Sequence, residues 1–551
     1  MVAHFCQLPD TLDTKQDINP TCTYRQVPDG SVPGQPSLPV TRSVDGPGVH
    51  HEKLSPISRL PTELLAHIFL FHAVQSHVFS PTQPPPTWIA LSQVCQRWRY
   101  IALGYPQLWT HIVLSNKHWT TEMLSRSKPL PISINAAFSG RPLMHAIEDA
   151  LKETPRAREI CLSSVIIQRL VDQLRDMPAP HLESLSLTQS ALACTLPDNM
   201  FRGEIPLLRS LKLAGVIMRW PSSLLRPTLT HLEIRATCPF DLPTMKDMLA
   251  ALATMPNLQT LIFSYSLPSV HREQGRELPS TPSLSEHLLA MPALRTLRLS
   301  DTASQCSYFM SHISIPIDAE LSVTCTHDPA FEPLQSVRAI EALLSQHLSH
   351  TRETGVQSKL APFTQLAIGF DADVGVGLRA GYAAPGAPWT PRLDVSLQWP
   401  ANASSVLYSE LLISRICPLL QTGDVHSLSV EGNFLSYGAA WLSIFGGMKR
   451  VAELVVQDSA VSGFLEAFKH RPSEARENVF TLLELPGDEA VGVDVAGVLL
   501  FPSLRRVSLA KLDSVATLRL FRHLRDELAV RSDFDTEGGL EKLAGGSRTV
   551  A

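Results

Sequence analysis

The sequence has no uninterrupted apolar run of the roughly eighteen residues that a membrane-spanning helix needs. It has no Cys-x-x-Cys pair, which leaves out zinc ribbons and thioredoxin-like redox motifs. Positive charge is not in excess: 47 Lys and Arg stand against 52 Asp and Glu, for a formal net charge of -5. A nucleic-acid binder would show a basic domain or stripe, so neither a nucleic-acid nor a membrane partner is expected. His-Glu-x-x-His, Gly-x-Ser-x-Gly and Walker-type loops are also missing, and with them the common local signatures of zinc, serine-hydrolase and nucleotide chemistry. No catalytic residue, cofactor site or metal site is expected. The opening "MVAHFCQLPDTLDTK" has no apolar core and carries acids early, which predicts no secretory signal.

The nine cysteines (Cys6, Cys22, Cys95, Cys161, Cys194, Cys238, Cys306, Cys325 and Cys417) are odd in number and irregularly spaced. Cys95, Cys161 and Cys417 lie among apolar residues, where cysteine acts as a small hydrophobe. This usage suits a reducing compartment, so a cytoplasmic or nuclear location is expected. The sequon at Asn402-Ala403-Ser404 is then expected to stay unglycosylated.

What is present is ordinary globular material, 44% hydrophobic and 18% charged over 551 residues. That length admits several domains of ~150 residues or one long repeat array. Residues 1–53 are polar, rich in proline and glycine, and aperiodic, which predicts a disordered N-terminal segment.

Residues 54–114 read as a helical module. Pro61 can open a helix, because its missing N–H would be unpaired there, and Glu63 suits the first turn. Leu64, Leu65, Ile68, Phe69 and Phe71 form a wide apolar face at helical spacing. The proline-rich insert at 80–87 must be a linker. A second helix carries Trp88, Leu91, Val94, Cys95, Trp98, Ile101 and Ala102 at steps of three and four.

From 115 to 530 the pattern is a recurring apolar-x-x-apolar-x-apolar unit. It occurs at Leu182/Leu185/Leu187, Leu208/Leu211/Leu213, Leu229/Leu232/Ile234, Leu258/Leu261/Phe263 and Leu294/Leu297/Leu299. Weaker copies are Ala157/Ile160/Leu162, Phe363/Leu366/Ile368, Val425/Leu428/Val430, Val451/Leu454/Val456 and Leu504/Val507/Leu509. Final positions at 162, 187, 213, 234, 263 and 299 give steps of 25, 26, 21, 29 and 36. All but the last fall at the period of leucine-rich repeats, roughly 20–29 residues. Each unit reads as a short strand with alternate residues inward, joined by helical stretches such as "LPTMKDMLAALATMP" and "PSLSEHLLAMP". The expected fold class is therefore α/β: a short α-helical module followed by a degenerate leucine-rich-repeat-like α/β solenoid. The asparagine or cysteine that closes standard repeats is mostly absent, and 300–425 holds only loose strand candidates, so the solenoid is expected to be irregular there. Residues 531–551 read as a flexible tail.

Leu60-Pro61-x-Glu63-Leu64-Leu65-x-x-Ile68-Phe69, followed by Leu91-x-x-Val94-Cys95-x-x-Trp98-x-x-Ile101-Ala102, resembles the F-box. The trailing "YPQLWTHI" is similar to the extension in F-box-like proteins of mushroom-forming fungi. The resemblance implies docking on the Skp adaptor, and through it on a cullin, in a cullin–RING ubiquitin ligase, with the remaining region recognising a protein substrate. It implies adaptor-binding roles for Leu60, Pro61, Leu64, Ile68, Val94, Cys95 and Trp98. Two short helices cannot bury all of Leu64, Ile68, Phe69, Val94 and Trp98 among themselves, and leftover apolar surface marks an interface.

Two smaller features point elsewhere. "GVGLRA" at 375–380 matches Gly-x-Gly-x-x-Ala, but Pro385 and Pro388 follow where a pyrophosphate site needs a helix N-terminus, so a glycine-rich loop is expected. His347 and His350 share a helix face without nearby acidic or cysteine partners, which suits surface residues better than metal ligands. A repeat scaffold independent of the ligase, and an enzyme with a site built within 300–425, remain alternative readings.

Overall fold

The computed structural model describes residues 56–510 except 80–86, 115–116, 138–143, 165–166, 190–193, 236–241, 270–287, 330, 354–362, 372–374, 383–388, 400–404, 470–478, 482–491 and 495–499. The expected disordered segment at 1–53, most of the proline-rich insert, Asn402 and the tail at 531–551 lie outside the described residues. The chain divides into two units, Met1–Leu60 and Pro61–Ala551. In the first, the described part is a 3-10 turn, Pro56–Arg59, closed by Leu60 N–H donating to the Ile57 carbonyl at 3.3 Å.

The second unit holds one 15-stranded sheet. Its strands are β1 His111–Val113, β2 Ile132–Ala137, β3 Ala157–Ser164, β4 Ser184–Gln189, β5 Ser210–Ala214, β6 His231–Arg235, β7 Thr260–Ser264 and β8 Thr296–Thr302. They continue as β9 Glu320–Thr326, β10 Gln365–Asp371, β11 Gly375–Tyr382, β12 Thr390–Gln398, β13 Ser427–Gly432, β14 Glu453–Gln457 and β15 Arg506–Ala510. From β1 to β9 each strand pairs in parallel with the next. The final two apolar positions of each repeat unit stack into ladders. One runs Ile160, Leu185, Leu211, Leu232, Leu261, Leu297, Leu321, Leu393. Its neighbour runs Leu162, Leu187, Leu213, Ile234, Phe263, Leu299, Val323, Val395. Nearly all are fully buried, each contributing about 1.5–3 kcal/mol of hydrophobic stabilisation. The alternate positions form a partly exposed face (burial alternates along β4, β5 and β13).

Helices flank the strands on the buried side: α4 Lys117–Arg126, α5 Met144–Leu151, α6 Ile167–Leu174, α7 Met245–Ala253 and α8 Ala303–Met310. They follow three helices of the N-terminal module, α1 Thr62–Phe79, α2 Leu91–Val94 and α3 Gln96–Gly104. The helical stretch expected within "PSLSEHLLAMP" lies for the most part outside the described residues; at its described end, Leu289–Ala290 is a two-residue strand paired with Ile313–Ser314.

The region 300–425 departs from the repeat without breaking the sheet. After β9, α9 (Pro333–Glu353) runs 21 residues, about 30 Å of helix, and carries the chain past two strand positions to β10. The chain then returns through β11 and β12, so the order reads β9-β12-β11-β10-β13. β12 is parallel to β9, β11 is antiparallel to both neighbours, and β10 is parallel to β13. The buried ladder continues through Val395, Leu378, Ile368, Val430 and Val456 and ends on the half-buried Leu509. The expected glycine-rich loop at 375–380 is therefore strand β11. Gly375 has φ +105°, and a Cβ there would lie 2.1 Å from the Leu397 carbonyl oxygen, so only glycine fits the approach to β12. The sheet resumes with α10 Ser405–Ile416, α11 Gly438–Phe445, α12 Ala460–Lys469 and the strands between them.

Individual side chains close the ends of the units where an asparagine ladder is absent. Gln189 accepts from Ile167 N–H at 3.2 Å and Glu410 from Leu435 N–H at 2.7 Å. Arg156 ties the start of the array together. Its guanidinium donates to the carbonyls of Leu124, Lys128 and Leu130 (3.3, 2.8 and 3.0 Å) and to Ser127 Oγ (3.0 Å). Its Nε pairs with Glu153 at 2.7 Å. Arg156→Ala leaves several acceptors at the end of α4 without partners, and is expected to lower unfolding stability by about 2–4 kcal/mol in denaturant titration. Arg156→Lys recovers less than half of that, because a point charge cannot reproduce the planar fork.

Asp301, 5% exposed, accepts from Thr302 N–H (2.9 Å) and Leu267 N–H (3.2 Å). Burial pushes its carboxyl up to about 6, against those backbone bonds, with Asp328 adding repulsion. An unfolded aspartate titrates near ~3.9. A raised folded value means that the contribution is full below about pH 4 and is lost as pH climbs through 6, a change of up to about 3 kcal/mol. Relative to Asp301→Asn, wild-type stability should fall across that window in denaturation at stepped pH; a constant difference would remove Asp301 as the source.

Candidate docking surface

The module begins with α1, Thr62–Phe79, opened by Leu65 N–H donating to the Pro61 carbonyl at 3.1 Å. Its apolar residues do not make the single wide face expected from spacing. Leu65, Ala66, Phe69 and Ala73 are buried, while Leu64, Ile68, Phe71 and Val74 are exposed. At 3.6 residues per turn these sets fall on roughly opposite sides, so one stripe builds the core and the other is left over.

The second expected helix is broken. A 3-10 turn, Thr87–Ala90, leads into α2, Leu91–Val94; the chain extends at Cys95 (φ -155°, ψ 170°) and re-enters helix as α3, Gln96–Gly104. Cys95 is exposed rather than packed among apolar neighbours, and its sulfur accepts from Trp98 N–H at 3.5 Å. That is an N-cap role, and it explains the break: a helix starting afresh needs a partner for its first N–H groups. Arg99 Nε reaches back to the Ser92 carbonyl at 3.0 Å and holds the two pieces at their angle.

The core of the module is aromatic. Trp98 is half-buried and lies 4.9 Å from Phe69 between ring centroids. Trp88 and Trp109 meet edge to face at 5.1 Å. Trp109 donates from Nε1 to the Ala102 carbonyl at 2.8 Å, and the Arg126 guanidinium sits over its ring at 4.9 Å. Trp109 ends a 3-10 turn, Pro106–Trp109, and β1 starts at His111. The module and the first strand of the sheet therefore share a tryptophan core.

Of the residues singled out from the motif, Leu64, Ile68 and Val94 are 50%, 46% and 60% exposed. Pro61 and Cys95 are exposed, Trp98 is half-buried, and Leu60 is half-buried within the other unit. The structure adds Phe71, Tyr100 and Leu103, at 66%, 80% and 36% exposure. The signal for them was available: α1 is apolar on every side, and Tyr100 and Leu103 lie one turn apart off the core stripe. Among the described residues, the other large apolar side chains with such exposure are Val74 on α1, Ile57 in the first unit, and Leu207, Tyr265 and Tyr437 elsewhere. Exposed apolar surface is concentrated on one small domain.

Among the described residues, two depressions lie on the open face of the sheet. One, about 300 Å³, is lined by His111, Ser133, Glu159, Arg158 and Glu183 among others, with Arg158 and Glu183 paired at 3.0 Å. Burial lowers the His111 imidazole from its ordinary value, against the pull of Glu159. The other, about 630 Å³, lies over β10 to β13 and is lined by Asp371, Arg379, Asp394, Glu431 and Asp458 around glycines and serines. Burial raises the Asp394 carboxyl. Among the described residues, no histidine, cysteine or lysine lines the larger depression. His347 and His350 lie near the end of α9, and no group of three potential metal ligands occurs among the described residues. No described helix is long and apolar enough to cross a membrane.

No curated protein matches the chain. Among solved structures, the leucine-rich repeat-containing protein LegL7 from Legionella pneumophila is matched at 12% identity, over 72% of this chain and 98% of that one, with a TM-score of 0.24. The fold class is carried by the strand register itself. Residues 57–115 match the family model described as F-box-like, so the chain carries an F-box-like domain there, followed by a leucine-rich-repeat-like, mostly parallel sheet.

Proposed function

We propose that this chain is a substrate adaptor: the F-box-like domain docks on the Skp subunit of a cullin–RING ubiquitin ligase, and the sheet binds a protein target. The observation that carries the reading is the exposed apolar stripe of α1 together with Val94, Tyr100 and Leu103, on a domain whose core is already filled by Phe69, Trp88, Trp98 and Trp109. A small domain that leaves such side chains outward has a partner for them. Catalysis then belongs to partner subunits, and the chain contributes proximity. The docking residues are Leu64, Ile68 and Val94, with Pro61 and Cys95 shaping the same region and Trp98 supporting it from beneath. The working compartment is the cytoplasm or nucleus.

The test is capture of a purified Skp subunit from a mushroom-forming fungus, the group whose F-box-like proteins this domain resembles, by the full chain on a resin. Retention of the Skp subunit at micromolar concentration is the expected result. No retention of it would leave a scaffold and refute the adaptor.

A further inference from the structure

The described helices leave one face of the sheet open, and its charges are sorted along the strand order. Over β5 to β8, Lys212, Arg235 and Arg298 stand on or at the end of the strands, with Arg209 and Arg295 exposed one residue before β5 and β8. Glu233 is the carboxylate among them on this face, Asp301 of β8 being buried. Lys212 pairs with Glu233 at 3.5 Å and Arg298 with Glu320 of β9 at 3.0 Å, yet both cations remain more than half exposed (54% and 53%). Exposed pairs of this kind are weak and leave donors available to a partner.

Beyond β9 carboxylates predominate on this face, with Arg392 of β12 exposed and held over the Tyr382 ring. The depression of about 630 Å³ over β12, β11, β10 and β13 is lined by Asp371, Asp394, Glu431 and Asp458, with Arg379 as its cation. Arg379 stands directly opposite Asp394 across the antiparallel pair. The depression exists because Ala367, Gly369, Gly377, Ser396 and Ser429 have little or no side chain to fill it. The β12-β11-β10 return brings these acids together: Asp371 and Asp394 belong to strands on either side of β11, and Glu431 to the strand beyond.

We propose that the open face takes an extended segment of the target laid across the strands, with carboxylates over β5 to β8 and a lysine or arginine in the depression over β10 to β13. The inference rests on the reading of the sheet as the target-binding region. The centres of the two bands are five strand positions apart, about 24 Å at ~4.8 Å per strand, which an extended chain spans in about seven residues. Opposed charge bands of this kind fix the direction and register of a bound segment.

Fluorescence anisotropy with labelled synthetic peptides tests it on the full chain. The probe has a glutamate run, a Gly/Ser spacer of about seven residues and a lysine run. It should bind at least about tenfold more tightly than an alternating Glu/Lys peptide of the same composition, with the gap closing at high salt. Lys212→Glu with Arg298→Glu should weaken the probe, as should Asp394→Lys with Glu431→Lys. Joining all four reversals leaves neither band with its original charge, so the preference for the probe should vanish. Thermal melts and adaptor capture report whether each variant is folded. Equal binding of probe and alternating peptide overturns the proposal. So does binding as tight as the probe's by an all-glutamate peptide, an all-lysine peptide or a single-stranded oligonucleotide. Adaptor capture without probe preference refutes this inference alone; probe preference without capture refutes the ligase reading alone.

Discussion

Replacing Ile68 and Val94 together with aspartate should reduce adaptor capture at least about a thousandfold while leaving the thermal melt within a degree or two of wild type. Both side chains are exposed in the free chain, at 46% and 60%, and exposed positions away from special features change stability by only about 0.5 kcal/mol. On docking they become buried, and truncation of an interface anchor costs about 2 kcal/mol or more. A carboxylate brought into the same dry contact without a partner adds a desolvation penalty of several kcal/mol. The sum exceeds ~4 kcal/mol, a factor of about a thousand. Titration of the Skp subunit by calorimetry reads the loss directly. Unchanged affinity would move the interface off this stripe, and a collapsed melt would show that the side chains are structural.

Trp109→Ala should produce the opposite pattern, a fold lost together with its binding. Trp109 is 2% exposed, donates to the Ala102 carbonyl, lies edge-on to Trp88 and carries Arg126 over its ring. Removal of a buried tryptophan costs about 3–5 kcal/mol through lost burial and the cavity left behind. The Ala102 carbonyl loses its donor as well. Because the residue joins α3 to β1, local melting should expose amides in both: hydrogen exchange should accelerate in 96–104 and 111–113 and spare β13 and β14. Trp109→Phe keeps most of the burial without the N–H and should cost less than half as much. Exchange confined to the helices would show that the tryptophan serves the module alone.

The strand positions could be read from the sequence because burial in a repeat is local. Leu185 and Leu187, or Leu454 and Val456, alternate with polar residues whatever strand lies beside them, and alternation alone sends them to one face. The weak copies were legible for the same reason, and Leu366, Val430 and Leu509 all entered the ladders. The apolar surplus of the module was legible too, since Leu64, Ile68, Phe69, Val94 and Trp98 outnumber the places that two short helices provide. Its division was not. Which stripe of α1 turns inward depends on the aromatic rings supplied by Trp98, and on the break at Cys95, where a sulfur cap competes with a continuous helix.

By itself the sequence determined an α/β repeat body, the inward positions of its strands and a helical domain with apolar surface to spare, because hydrophobic period is set by neighbours a few residues apart. Only the tertiary structure decided the order β9-β12-β11-β10-β13. No local pattern reports which strand a long helix such as α9 delivers the chain to, since that choice is made by pairing between segments far apart in sequence. The opposed charge bands follow from the same choice: Asp371, Asp394, Glu431 and Asp458 line one depression because β11 runs back between β12 and β10.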